Sequence, residues 1–411
     1  MKKLHNHCLV NCELSFKAVN KILRFLFIFI TIFLCASLNA QVLSVRLYAR
    51  YTVKQFDFKH RQGSYTVNGD TLFSDELVKD GSVRIKQGKS DKLILTVNGI
   101  KKGEFKEIRI LQDSLNSILG VQSIVPEIKA HTFQDNFIIT SEEGQLKILN
   151  QVEIENYLAG VIESEGGGGR HLEYYKVQAL ISRTYVLKHL NRHKLEGYNV
   201  CDAVHCQAYH NMLRGTPMIR KAIVESKGEI MVDEYDNMLS SYFHANCGGQ
   251  TSDGSYVWRN SISYCMPFID SFCTESKQYE WKKIIPRNEW ESYLKTNFKF
   301  PIKSELVKKE MYNFDQPYRK AFYVHASLGV PLRDLRSKFN LKSTFFSVRR
   351  SGNQIILNGK GYGHGVGLCQ EGAMEMANRG ISYKQIATYY FDNVRIMGYK
   401  NFMYFKSTQV E

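Results

Sequence analysis

The stretch "VEIENYLAGVIESEGGGGRHLEYYKVQALISRTYVLKHL", residues Val152 to Leu190, with "CDAVHCQAY" at Cys201–Tyr209, decides how this chain is read. Its opening, through Glu165, is strand-like. Gly166 to Gly169 then exclude a helix interior, because glycine loses more backbone freedom on ordering than any other residue. A glycine run of this kind lets the main chain approach a bulky ligand, with Glu163 and Glu165 at the rim. From Leu172 to Arg192 there is no Gly or Pro. Leu172, Tyr175, Ala179, Leu180, Val186, Leu187 and Leu190 fall near the three-four spacing of one helix face. Lys176 and Arg183, seven apart, share a face beside that stripe. The stretch therefore predicts an acidic turn joined to a half-buried helix that carries two cations.

The same residues resemble the sporulation stage II protein D / LytB (SpoIID/LytB) family of peptidoglycan-active proteins. The resemblance rests on Tyr157, Gly160, Val161, Ser164 and Glu165, then Lys176, Gln178, Ala179, Arg183, Thr184 and Tyr185, then Gln207 and Tyr209. It resumes at "YFHANCGGQT" and at "GKGYGHGVGLCQEGAMEMANRGISYKQIATYYF", so it reaches from about Gln145 to Val394. The family usually follows its glutamate with Met-Pro, where this chain has Gly166 to Gly169. The resemblance implies a catalytic Glu165, with Lys176, Gln178, Arg183, Gln207, Tyr209, His364 and Gln370 on the substrate.

Working outward, Phe25 to Leu38 are mostly apolar and follow Lys2, Lys3, Lys17, Lys21 and Arg24, and small residues end at Ala40. Residues 1–40 thus read as a signal peptide, which makes the protein exported, periplasmic or in the cell envelope. An uncleaved leader would be a membrane anchor, although the apolar run is short for spanning. Leu34 before Cys35 argues against a lipoprotein. The chain of 411 residues carries a net charge of +15, and loss of the leader leaves +11. Such a basic exported protein suits an anionic polymer such as cell wall. Clustered Lys/Arg with interleaved aromatics are absent from the sequence, and with them any nucleic-acid motif.

Between Gln41 and about Thr140, period-two runs such as "VLSVRLYARYTV" and "KLILTVNG" alternate with turn signals, including Asn68-Gly69 and Asn98-Gly99. The fold class expected is α+β: a β-rich N-terminal domain over 41–134, then a mixed α/β SpoIID-like domain over 135–411. "EWKKIIPRNEWESYLKTNF" and the segment after it read as a helix-then-strands region whose aromatics pack a core or form a saccharide platform. In "GKGYGHGVG" the glycines let the backbone approach a sugar chain, with His364 and Gln370 facing it. A helix is predicted from Gln370 to Asn378, stopped by Gly380, and a second one capped by Ser382 and running to Tyr390.

Cys201, His205 and Cys206 lie within six residues of one another, with His193 upstream and His210 downstream. Thiolates with imidazoles suit tetrahedral zinc, and adjacent His205 and Cys206 can both ligate only from a turn. The resemblance supports structural Zn2+, since some members of the family bind zinc here through two His and two Cys. His193, Cys201, His205 and Cys206 are the expected ligands, with His189 and His210 competing for the place of His193. Such a closed site leaves no position for a hydrolytic water. For Cys247, Cys265, Cys273 and Cys369, export makes disulfides expected, and four cysteines allow three pairings. Cys265–Cys273 with Cys247–Cys369 is the expected set. A nucleophilic Cys369 beside His364 is the alternative.

The resemblance implies a lytic transglycosylase on peptidoglycan glycan strands. In that reaction the 6-hydroxyl of N-acetylmuramic acid attacks its own anomeric carbon, and one glutamate serves as acid and base. Glu165 needs a raised pKa for this, from burial or from a nearby carboxylate; on a strand Glu163 would share its side. The rival from another class is a glycan-binding enhancer that presents a cell-wall amidase.

Overall fold

The computed structural model describes residues 41–70 and 73–408; the expected leader lies outside them. From Val42 to Glu153 the alternating pattern gives strands β1 (Val42–Leu47), β2 (Gln55–Gln62), β3 (Tyr65–Gly69), β4 (Ser74–Leu77), β5 (Ser82–Gln87), β6 (Leu93–Val97), β7 (Ile100–Phe105), β8 (Glu107–Gln112), β9 (Ile118–Val125), β10 (His131–Gln134), β11 (Asn136–Glu142) and β12 (Gln145–Glu153). They form two sheets. One runs β10-β9-β2-β5-β6-β7; the other runs β1-β12-β11-β8-β3-β4, with β13 (Val200–Cys201) added beside β1. Inward-facing residues of both sheets share a core, and Phe58 meets Phe137 edge to face at 5.7 Å between ring centres. Strands on either side of Asp135 belong to one sheet, since Ile139 of β11 pairs with Ile108 of β8.

Asn98-Gly99 makes the expected tight hairpin, both residues having positive φ (48° and 80°). Asn68-Gly69 does not. Gly69 ends a strand paired to Ile108, with the Phe105 ring over it.

The largest departure from the sequence reading follows β12. "IENYLAGVIESEG" is not a strand but helix α1 (Ile154–Gly166). Its buried apolar residues Ile154, Tyr157, Leu158, Val161 and Ile162 fall at helical, not alternating, spacing. Helix α2 (Leu172–Lys188) follows as expected and ends one turn early. The two helices pack against α3 (Pro217–Glu225), β14 (Glu229–Val232) and the C-terminal helices α8 (Gln370–Asn378) and α9 (Tyr383–Tyr390). Both C-terminal helices have the bounds their sequence signals gave, and Ser382 and Gln385 form a capping box. The class is α+β, as the patterns imply.

Residues from Trp281 to Leu357 build a second core around Trp290, with strands β16 (Glu280–Pro286), β18 (Phe346–Ser351) and β19 (Gln354–Lys360). Trp290 and Tyr323 are fully buried there, so these aromatics fill a core rather than form a saccharide platform.

At Gly160, in the middle of α1, a Cβ would lie 2.3 Å from the Asn211 carbonyl oxygen and 2.7 Å from the Tyr209 ring. The helix can lie on the 207–211 segment only without a side chain at this point. Gly160→Ala is expected to destabilise the protein by roughly 1–3 kcal/mol through overpacking, read by denaturant unfolding. An unchanged midpoint would show that the contact relaxes freely.

Candidate active site and metal centre

Glu165 stands in the last turn of α1, where the orphan carbonyls carry partial negative charge. Its carboxylate is half-buried and accepts one backbone bond, from Ala208 N at 3.0 Å. Burial raises its pKa; the Ala208 donor and nearby His210 pull the other way and do not cancel the rise. Glu163 sits on a different side of the helix. It accepts from Arg214 N (3.0 Å), Gly215 N (3.1 Å) and Thr216 Oγ1 (3.0 Å). Burial alone would raise the Glu163 pKa, but these donors together hold it below the ordinary carboxylate range. The two carboxylates, identical as residues, are thus driven apart by environment, and burial rather than Glu163 raises Glu165.

The glycine run after Glu165 is held by tyrosines. Tyr175 donates to the Gly167 carbonyl (2.9 Å) and accepts from Arg170 N (3.1 Å), and the Tyr174 hydroxyl is buried without a partner. A Cβ at Gly166 would come within 2.9 Å of that hydroxyl. Tyr174 thus lies against this end of α1, a contribution that sequence reasoning left out, as it left out the Ala208 amide. A cavity of about 270 Å³, lined by Tyr48, Tyr51, His131, Asp202 and His210 among others, adjoins the site through His210. A second, of about 730 Å³, opens beside Arg170 and is rimmed by Glu275, Lys277, Glu371 and Arg379.

The residues expected on substrate divide. Arg183 is buried and makes a bidentate pair with Glu155 (3.0 and 2.7 Å) and a bond to the Glu229 carbonyl. Lys176 bridges Glu173 (2.9 Å) and Glu225 (2.6 Å). Gln207 is buried between the Tyr157 hydroxyl and the Ser182 carbonyl, and Tyr209 donates to Asn150 Oδ1. Gln178 is fully buried beside Gln370, whose Nε2 lies 3.5 Å from its Oε1. These side chains hold the helices and loops around Glu165 in place.

His364 packs near Trp258 (5.2 Å) and Tyr242 (6.3 Å), and its Nδ1 accepts from Val366 N. Burial lowers its pKa to about 4. The glycines around it serve packing: a Cβ at Gly361 would meet the Asn246 carbonyl oxygen at 2.6 Å, and one at Gly367 that of Tyr242 at 2.2 Å. They let this loop lie on the 242–248 segment.

His193, Cys201, His205 and Cys206 converge, their donor atoms all within 4.8 Å of one another. Cys206 Sγ is 3.5 Å from His193 Nε2 and 3.7 Å from His205 Nδ1. Ligand–ligand edges of about 3.6 Å follow from tetrahedral zinc with ordinary Zn–S and Zn–N bonds, so the set fits the metal. His205 and Cys206 lie on a turn closed by Cys206 N to the Ala203 carbonyl, and Glu196 takes the other nitrogen of His193 at 2.6 Å. His189 and His210 stand outside the cluster.

The expected disulfide set does not form. All six described cysteines are free, and Cys265 lies apart from Cys247, Cys273 and Cys369, which converge. Cys369 faces that cluster rather than His364.

Residues 142–232 match the family model described as "Stage II sporulation protein" (SpoIID). Over this segment the chain is similar to the SpoIID family, in line with the resemblance read from the residues. Stage II sporulation protein D of Bacillus subtilis is 26% identical over 264 residues, covering 60% of this chain and 75% of that protein. An uncharacterized protein of Brachyspira hyodysenteriae is 28% identical over 258 residues (61% and 68%). The amidase enhancer of Bacillus subtilis is 25% identical over 292 residues, which cover 59% of this chain and 40% of that protein. The match supports a peptidoglycan-related role. The matched segment includes Glu165, α2 and the cluster of His193, Cys201, His205 and Cys206.

A raised Glu165 pKa has a stability consequence. Its folded-state pKa lies above the unfolded one, so the associated stability is full below the unfolded value, about 4.3, and is lost as pH rises through the folded value. Glu165→Gln removes that loss. The variant is expected to melt at or above the wild-type temperature at neutral pH, with the difference vanishing near pH 4. A melting difference that does not change with pH would contradict the raised pKa.

Proposed function

We propose that this protein is an exported lytic transglycosylase that cuts the MurNAc–GlcNAc bond of peptidoglycan glycan strands with Glu165 as its acid and base. The observation that carries the reading is the environment of Glu165: half-buried, at a helix C-terminus, with one donor and a raised pKa. Protonated, it gives its proton to the glycosidic oxygen as the bond to C1 of muramic acid breaks. The 6-hydroxyl of the same sugar bonds to C1 and returns its proton to Glu165. No water is consumed, and the product is a 1,6-anhydro end.

Hydrolysis would require a second carboxylate across the bond. The candidates near the family motifs are committed elsewhere. Asp253 accepts from Ser255 N and Ser261 Oγ; Asp270 from Phe272 N and Tyr390; Glu371 from Asn246 and Ser276. Glu163, held by Arg214 N, Gly215 N, Thr216 Oγ1 and, at 3.4 Å, Arg214 Nε, is a poor acid. The apolar leader at 25–38 supports export to the cell envelope, and among the described residues no helix is long and apolar enough to cross a membrane.

Structural Zn2+ at His193, Cys201, His205 and Cys206 belongs to the same reading. It would fasten the turn at 203–206 to β13 and so hold the Ala208 amide on Glu165. His193→Ala is expected to lose one zinc per chain and to melt at a lower temperature. A variant with unchanged melting would contradict the structural role.

The similarity to a protein named amidase enhancer supports a second reading, in which the chain binds glycan and presents a cell-wall amidase without cutting. Purified protein on isolated glycan strands separates the two. Glu165→Gln keeps the shape and is expected to lower turnover roughly 100-fold or more, with Glu163→Gln falling less. Equal turnover of wild type and Glu165→Gln would overturn the assignment.

A further inference from the structure

Cys247, Asp270, Cys273 and Cys369 lie together outside the Glu165 site, each fully buried, with one donor atom apiece inside a 4.8 Å span. Cys247 Sγ is 3.3 Å from Cys273 Sγ and 3.3 Å from Asp270 Oδ2. We propose that these four residues form a second zinc centre, a closed Cys3Asp site independent of the one at His193–Cys206.

The chemistry of the set favours a metal over simpler arrangements. Three thiols cannot all pair, so any disulfide strands the third beside a carboxylate. A fully buried carboxylate is expensive unless it is paired or bound to a metal. Asp270 receives Phe272 N (3.0 Å) and the Tyr390 hydroxyl (2.9 Å), neither of them a cation. Arg319, buried nearby, directs its guanidinium to the Cys247 carbonyl (2.6 Å), the Gln250 carbonyl and Thr344. The neutralising charge is therefore open to a divalent ion. Sulfurs bound to tetrahedral zinc at about 2.3 Å stand roughly 3.8 Å apart, and the Cys247–Cys273 separation of 3.3 Å is nearer to that than to a covalent S–S bond of about 2.04 Å. Thiolate and carboxylate donors together select zinc over hard cations.

The surroundings also suit an anionic cluster. Cys369 is the N-cap of α8, and its sulfur accepts from Cys247 N (3.3 Å) and Gly372 N (3.4 Å). Main-chain N–H groups aimed at a sulfur from a helix N-terminus suit a metal-bound thiolate. The four ligands come from three separated motifs: Cys247 from "NCGG", Asp270 and Cys273 from "DSFC", and Cys369 from "LCQEG". A metal here would tie the 243–248 segment, the 270–273 loop and the start of α8 to one point. Gln370, the first residue of α8, follows directly and reaches Gln178. The centre would thus fix α8 against the helices that carry Glu165.

The test is zinc content and X-ray absorption of the purified leader-free chain after equilibration with Zn2+. Two zinc ions per chain are expected, averaging more sulfur than nitrogen or oxygen neighbours. The Cys201→Ser/Cys206→Ser variant is expected to keep one zinc with about three sulfurs at about 2.3 Å and one oxygen. Should that variant fail to fold, the wild-type chain decides alone. Two zinc ions, or one with a three-sulfur shell, support the centre. One zinc with equal sulfur and nitrogen shells, or none, overturns it. A native mass two daltons short from a disulfide within Cys247, Cys273 and Cys369 also overturns it.

Discussion

Glu155 and Arg183 form a bidentate ion pair in the interior, and the rest of the site is arranged around it. An isolated charge on either helix could not be buried this way, so α1 and α2 must lie where the pair closes. The third donor of Arg183 reaches the Glu229 carbonyl and brings β14 to the same point. With α1 fixed at its first turn, its last turn can emerge only where the 207–211 segment passes, beneath Gly160 and Ala208. Glu165 is the consequence: a carboxylate held at the end of a buried helix, reachable from the Gly167 side and desolvated on the other.

The two thiol clusters extend the same logic. The His193–Cys206 cluster lies at the edge of the β-rich sheet, where β13 pairs in parallel with β1 through Val45–Val200 and Arg46–Cys201. Asp202 adds bonds to the amides of Tyr48 and Ala49. The loop that carries Ala208 is thereby anchored to the N-terminal strands, so those strands support the site although they contribute no acid or base. With a metal bound, the Cys247–Cys369 cluster would likewise anchor the start of α8, where Gln370 reaches Gln178 of α2.

Much of this was legible in the residues. Alternation gave the N-terminal strands, Ser382 and Gly380 gave the ends of the last helices, and Cys201-x3-His205-Cys206 gave a cluster of thiols and imidazoles on a turn. Other features were hidden for physical reasons. "VEIENYLAGVIESE" mixes β-branched residues with a helical stripe, and β12 runs straight into α1, so local preference pointed one way and burial the other. Arg183 and Lys176 looked like ligand-binding cations because their partners, Glu155 and Glu225, are remote in sequence. Cys273 looked like the partner of nearby Cys265, but the chain carries it to Cys247 and Cys369. Asp270 stood out only as a carboxylate near the family motifs and not as a neighbour of the thiols, because a lone Asp beside a Cys is common and its meaning lies in the fold. The Ala208 amide, a main-chain group, cannot be read from residue type at all.

The claim that matters most is that one carboxylate does the work of two. Glycan strands digested by the protein in isotopically labelled water, with products read by mass spectrometry, test it directly. The account expects new muramic acid ends that are 1,6-anhydro and carry no label, because the 6-hydroxyl and not water closes the reaction. Labelled, hydrated ends would mean that a second group activates water opposite Glu165, and would contradict the single-glutamate account.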